Sequence, residues 1–165
     1  MICSCQQAST NRMSDKNDQK TQALSTDKVR QLSEELLAGK QWSIESAIMQ
    51  NKIFDSINSP VATSRNYYIG VSMFLLKRGD AIFSPVLSKN ICKLLFTNPD
   101  DFIPKMKGYN DQLIIDLGIT LNYYLSKKEV KEKGVAASVR RVFLVNLNGE
   151  DSLTKKKIQL VLKYI

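Results

Sequence analysis

One local pattern recurs along this chain and restricts its fold: a side chain that can cap a helix, then proline, then apolar residues at helical spacing. Ser59-Pro60, Ser84-Pro85 and Asn98-Pro99 each have this form. A Ser or Asn side chain accepts a hydrogen bond from a free N–H of the first turn, and proline at the first helical position loses no intrahelical bond. We expect each pair to begin a helix, the first stopping at Gly79 and the third lasting a turn or two.

Two earlier segments also carry helix signals. Ser25 can cap a helix that Gly39 ends, and Ser43 can cap a segment that ends near Asn58. Apolar side chains recur at helical spacing in both, which predicts amphipathic helices. In the second segment the expected core residues are Ile44, Ala47, Ile48 and Phe54.

The later part of the chain carries the strongest and the weakest helix signals. Asn110 caps an apolar stripe that stays in register to Leu125, which is typical of a core helix. Residues 135–147 contain many β-branched side chains, so both helix and strand are open there, and we favour helix. A final helix from Ser152 carries an apolar stripe that reaches Ile165, which indicates a docked segment or a partner that completes it.

The chain divides into a polar segment and a helical domain. Residues 1–23 are rich in Ser, Gln, Asn and Asp and have almost nothing to bury, which predicts a disordered tail. Within it, Met13 opens a polar stretch where we hypothesise that translation begins. Residues 24–165 are expected to form one all-α domain, an orthogonal bundle of about six to seven helices, because the predicted helices are short and closely spaced.

The absence of histidine narrows the chemistry. With a histidine count of 0, the sequence has no imidazole for a nucleophile pair, a proton shuttle or a histidine zinc site. Cys3, Cys5 and Cys92 are too few for a four-cysteine zinc site, and the last fits an apolar stripe and is expected in the core. The pairs Asp100-Asp101 and Glu150-Asp151 precede or open helices, where capping is their expected role. We therefore expect no enzyme activity and no cofactor.

Hydropathy and cysteine usage indicate a location. No apolar run approaches the 18 or so residues that a spanning helix needs, and no apolar stretch near Met1 resembles a signal peptide. An odd and sparse set of cysteines agrees with a reducing compartment. We therefore expect a cytoplasmic or nuclear protein without a membrane partner.

The basic charge points to a polyanionic partner. The net charge is +8, and beyond Ser126 ten Lys and Arg face four Asp and Glu, a net of +6. Clustered cations bind phosphates by releasing counterions, and neighbouring tyrosines can stack on unpaired bases. A solvated charged surface with core tyrosines is the alternative. The candidate nucleic-acid-binding residues are Arg65, Tyr67, Tyr123, Lys127, Lys128, Lys131, Arg140, Arg141, Lys155, Lys156 and Lys157.

These observations lead to two main hypotheses from different classes, while a third, an enzyme that relies on Lys, Tyr, Asp or backbone groups, has no motif in its favour. The first is a non-enzymatic protein that binds or packages RNA or another single-stranded nucleic acid, of the viral coat or nucleocapsid kind, with homo-oligomers as the working form. The second is a helical adaptor whose stripe from Ile158 to Ile165 docks into a partner's groove. A helix-turn-helix over residues 59–96 is only weakly indicated.

Overall fold

The computed structural model describes residues 28–41 and 47–165, and within these ranges every regular element is a helix. The prediction of an all-α chain is confirmed for this part, including residues 135–147, which are helical. The number of helices and their orthogonal arrangement stay predictions. The tail at 1–23, the start at Met13 and the helix caps at Ser25 and Ser43 lie outside the described residues.

The α-helices follow one another through short connections. They are α1 (28–37), α2 (Ala47–Asp55), α3 (Ala62–Lys77), α4 (Pro85–Thr97), α5 (Asp111–Leu125), α6 (Lys128–Lys131), α7 (Val135–Leu147) and α8 (Ser152–Leu162). Shorter 3-10 segments cover Ser56–Asn58, Pro99–Asp101 and Ile103–Gly108.

Local sequence signals set several helix ends as predicted. Ser84 Oγ accepts a hydrogen bond from the Leu87 N–H at 3.2 Å and so caps α4, with Pro85 as its first residue. Asn110 Oδ1 caps α5 in the same way, at 2.8 Å from the Leu113 nitrogen. Beyond α3, Gly79 takes a φ of +86°, a left-handed conformation that glycine adopts without a Cβ clash.

Two predicted caps, at Ser59 and Asn98, are wrong. The helix after Ser59-Pro60 begins at Ala62, because the backbone at Ser59 and Val61 is extended, and Ser59 Oγ accepts from the Val61 N–H instead. Asn98 makes no side-chain cap; its amide donates to Thr97 Oγ1. The predicted start of α8 at Ser152 and the capping role of Asp151 are confirmed, because the Asp151 carboxylate accepts from two backbone N–H groups of the first turn.

The expected core residue Ile48 is on the outside. Its side chain is 73% exposed, whereas Ile53, Phe54 and Ile57 are almost fully buried. Five residues along a helix turn the side chain by about 140° from the face that Ile53 occupies. The buried face of α2 and of the 3-10 segment that follows it is therefore formed by Ile53, Phe54 and Ile57.

Helix α5 is central to the core. It packs against α3, α4, α6 and α8, and its Ile114, Leu117 and Leu121 are fully buried. Cys92 on α4 is buried as expected, and burial raises the pKa of its thiol to about 12.

Helices α5 and α8 pack side by side in the same direction. Lys157 lies against Asp111 at the beginning of α5, and Tyr164 lies against Gly118 two turns later, where a Cβ would stand 3.0 Å from the tyrosine Cβ. Ile158 and Val161 of α8 are fully buried. The apolar stripe of the last helix is thus packed inside the domain.

Candidate functional site

Arg65 has a structural role and is not part of an exposed basic surface. It is 8% exposed, and its guanidinium bonds Asp101 Oδ2 through Nε at 2.6 Å and Nη2 at 2.5 Å. Its Nη1 donates to the Ser59 carbonyl at 2.6 Å. These bonds join the beginning of α3 to the 3-10 segment after α4, so this candidate residue has little charge to offer a ligand.

Tyr67 is half-buried, and a cation and a second aromatic ring lie against its ring. The guanidinium of Arg30 lies 4.8 Å from the centre of its ring, and the Tyr68 ring meets it edge-on at 5.0 Å. Burial raises the pKa of Tyr67, and its hydroxyl has no hydrogen-bond partner among the described residues. Tyr67 is therefore more buried than Tyr123, which is 43% exposed.

The lysine triplet at 155–157 is largely engaged within the chain. Lys157 is 4% exposed and bonds Asp111 Oδ1 at 2.5 Å, and Lys156 bonds Asp111 Oδ2 at 3.1 Å. The hydrogen bonds from Lys157 and then Lys156 hold the pKa of Asp111 below its usual value. Lys155 is half-buried and forms no ion pair with a described residue, and the Lys156 side chain is 64% exposed, so Lys157 is the member of this cluster whose charge is withdrawn from a ligand.

Arg140 and Arg141 are separated by the helix that carries both. Consecutive residues of a helix point about 100° apart. Arg140 Nη1 donates to the carbonyls of Leu162, at 3.3 Å, and Ile165, and so caps the end of α8. Arg141 is exposed beside a groove of about 360 Å³ between α4 and α7, together with Phe96 and Val145.

Tyr123 and Lys127 are brought together, and a residue that the sequence did not single out joins them. Tyr123 is 43% exposed, and Lys127 Nζ lies 5.2 Å from the centre of its ring. Phe83 is 53% exposed. The centre of its ring lies 5.4 Å from the centre of the Tyr123 ring, and the two ring planes are inclined at 71°. We call Phe83, Tyr123 and Lys127 the aromatic corner.

Further lysines follow the aromatic corner on α6. Lys128 and Lys131 are exposed and form no ion pair with a described residue. Glu129 and Glu132 lie among them and are also exposed. The local charge is thus positive but moderate.

The predicted basic clusters do not meet at one place. Lys156 and Lys157 bond the first residue of α5, whereas Tyr123 and Lys127 lie at its other end. The 15 residues of α5 rise by about 21 Å between these ends. The structure therefore supports one compact candidate site, the aromatic corner, and not a continuous basic face.

Phe83 precedes the helix cap Ser84, and this position suggests a hydrophobic staple rather than a binding residue. An apolar residue just before a helix cap usually packs on the fourth helical residue as a hydrophobic staple. Here that residue is Ser88, which is small and polar. The contact that Phe83 makes is instead with Tyr123, which is distant in sequence.

A second, more polar cavity of about 420 Å³ lies between α1, α2 and α3. Arg30, Lys52, Ser64 and Tyr67 contribute to its lining, with Asp55 among them. Over residues 28–41 and 47–165, no three His, Cys, Asp or Glu side chains lie close enough to hold a metal ion.

In the described ranges, no helix has both the length and the apolar character to cross a membrane. Comparison of the chain with protein-family models, with curated proteins and with solved structures finds no match.

Proposed function

We propose that this protein is a non-enzymatic RNA-binding protein that holds single-stranded RNA at the aromatic corner. The observation that carries the proposal is the exposed Tyr123 ring with Lys127 Nζ at 5.2 Å and Phe83 against its edge. An aromatic ring offers a face for an unpaired base, and the adjacent ammonium group offers charge to the phosphate that follows. Two exposed rings in contact beside a cation distinguish this corner from a plain charged surface.

The lysines of α6 extend the proposed contact along the RNA backbone. Lys127, Lys128 and Lys131 offer contacts to about three phosphates, and each neutralised phosphate of a single strand contributes about −0.7 to the slope of log K against log salt. The expected slope is therefore about −2. Glu129 and Glu132 keep the local field moderate, so stacking has to contribute a large share of the affinity.

A binding measurement with two matched double variants tests the proposal. Lys128→Gln with Lys131→Gln removes two charges beside the aromatic corner, and Lys155→Gln with Lys156→Gln removes two at the other end of α5. Fluorescence anisotropy with a labelled single-stranded RNA is followed from about 50 to 200 mM salt. We expect the first pair to weaken binding and flatten the slope by about 1.4, and the second pair to change both much less.

Two outcomes would contradict this assignment. Equal loss of affinity in the two double variants would mean that only net charge matters and that the aromatic corner is not the site. Absence of RNA binding by the unaltered chain at about 50 mM salt would remove the function itself.

We extend the proposal to packaging of the coat or nucleocapsid kind, by homo-oligomers on RNA in the cytoplasm or nucleus. The polar N-terminal segment and the basic excess beyond Ser126 support it. Light scattering of the protein with increasing RNA length tests it, and a mass that stays at one chain per RNA would contradict packaging.

The adaptor hypothesis depends on α8. Its Ile158 and Val161 are fully buried within the domain, so α8 would have to leave α5 before it could dock elsewhere. Removal of residues 159–165 distinguishes the two roles: loss of a partner from a chain that stays folded supports an adaptor, and global unfolding supports a core role.

A further inference from the structure

We propose that the aromatic corner selects single strands because Phe83 is held outward as a stacking platform for one unpaired nucleobase. This inference rests on the proposed RNA-binding function and adds to it the residue that receives the base. Phe83 is 53% exposed, while its backbone has an unusual conformation.

Phe83 has a φ of +65°, the only positive φ at a non-glycine position in the described residues. A bulky side chain in the left-handed region is strained, and such strain persists where the surrounding structure imposes it. The strained conformation does not serve a hydrophobic staple at the beginning of α4, because the residue that Phe83 would have to pack on is the small polar Ser88. What this conformation does is direct the ring to Tyr123.

The turn around Phe83 is fixed from both sides. Ala81 is fully buried and its carbonyl accepts from the Ser84 N–H at 3.1 Å, so the backbone turns tightly at Phe83. Ser88 Oγ donates to the Thr120 carbonyl at 2.8 Å and thereby ties the beginning of α4 to α5. Thr120 lies one helical turn before Tyr123. The ring of Phe83 is therefore positioned on a rigid part of the fold.

The arrangement of the rings leaves Phe83 as the open platform. Lys127 lies over Tyr123, whereas no cation of the described residues lies over Phe83. Tyr123 meets Phe83 at 71° and supports it from the side. A base stacked on Phe83 would have its phosphate within the field of Lys127. A base inside a duplex has both faces covered by its neighbours, so the platform favours single strands.

The test replaces the ring and keeps the turn. Phe83→Asn suits a positive φ, since asparagine tolerates the left-handed region. Phe96→Asn is the matched control, because Phe96 is 47% exposed near the end of α4 and forms no aromatic pair with Tyr123. The probes are a single-stranded RNA with one 2-aminopurine, whose fluorescence is quenched by stacking, and a hairpin duplex of equal length.

We expect the unaltered chain to quench the fluorophore and to prefer the single strand. Phe83→Asn should lose the quenching and weaken single-strand binding by about tenfold, with little change for the duplex, while Phe96→Asn behaves as the unaltered chain. Tyr123→Leu provides a second route to the same loss if Phe83→Asn does not fold.

The outcomes separate this inference from the function on which it rests. If the unaltered chain binds RNA with the expected salt dependence, and Phe83→Asn and Tyr123→Leu keep both quenching and single-strand preference, the platform is wrong and RNA binding stands. If the unaltered chain binds neither probe, the proposed function fails.

Discussion

Replacement of Arg65 by methionine should weaken the fold and leave the proposed RNA binding intact. Methionine fills much of the same volume but cannot donate to Asp101 or to the Ser59 carbonyl. The substitution therefore removes the three close bonds of the guanidinium, at 2.5 to 2.6 Å, with little loss of packing. The sequence made Arg65 a candidate nucleic-acid-binding residue, so the variant distinguishes a binding role from a structural role for this side chain.

The expected cost follows from the burial of the pair. Removal of one member of a buried ion pair costs about 3–5 kcal/mol, because the other charge is left without a partner. The Arg65 side chain is 10% exposed but that of Asp101 is 26% exposed, so water can restore part of the solvation of the carboxylate. We expect a loss of about 2–3 kcal/mol in the free energy of unfolding.

Thermal and urea unfolding followed by circular dichroism measure this loss. For a domain of this size a change of about 1 kcal/mol moves Tm by about 3–4 °C, so the expected fall is about 6–12 °C. RNA affinity, measured at a temperature where Arg65→Met is folded, should stay within about twofold of the unaltered chain. Arg141→Met, on an exposed arginine, is the control and should leave Tm nearly unchanged.

Unchanged stability together with reduced RNA affinity would refute this reasoning. It would mean that the guanidinium of Arg65 is available to phosphate and that the bonds to Asp101 contribute little. Reduced stability with reduced affinity at full folding would point to a coupling between α3 and the proposed RNA site.

Three further predictions concern the core and the ion pairs. In a variant whose other cysteines are serine, Cys92 should not react with a thiol reagent at about pH 8 until the chain is unfolded, because burial raises its pKa to about 12; rapid reaction of the folded chain would contradict its burial. The pKa of Asp111 is lowered mainly by Lys157, so this carboxylate stabilises the fold above its ordinary pKa, and the stability is lost as the pH falls through the lowered value. Urea unfolding at a series of acidic pH values should therefore show a weaker pH dependence for Asp111→Asn, and an unchanged dependence would exclude the pair as its source. Gly118→Ala should lose about 1 kcal/mol through crowding against α8, whereas Gly70→Ala, where a Cβ meets nothing within 4 Å, should gain about 0.5–1 kcal/mol in urea unfolding. A gain in both would mean that α8 can move away from α5.

Local signals explain what the sequence predicted well. The caps at Ser84 and Asn110 and the turn at Gly79 each depend on a few neighbouring residues, whose preferences the sequence states directly. The apolar stripe of α5 is continuous, so its buried face was also predictable. The β-branched residues of 135–147 are compatible with a strand as well as a helix. The segment forms the helix α7 because it packs against the helices α4, α6 and α8.

Contacts between residues that are distant in sequence explain what could not be predicted from the sequence. Arg65 is buried because Asp101, 36 residues away, provides its partner, and Lys157 is buried because Asp111 lies 46 residues before it. Phe83 and Tyr123 meet only because α4 packs on α5. Runs of basic residues therefore overestimated the free charge, and no local pattern paired the two rings of the aromatic corner.

The parallel packing of α5 and α8 has a consequence for the order in which the chain can fold during synthesis. Lys157 follows its partner Asp111 by 46 residues, and a ribosome adds about 5–20 residues per second. The apolar flank of α5 beside Gly118 is therefore without its cover for about 2–9 seconds after it is made. Throughout that interval this flank is a place where a chaperone can bind and where two nascent chains can associate, and a slower codon stretch before α8 would lengthen the exposure.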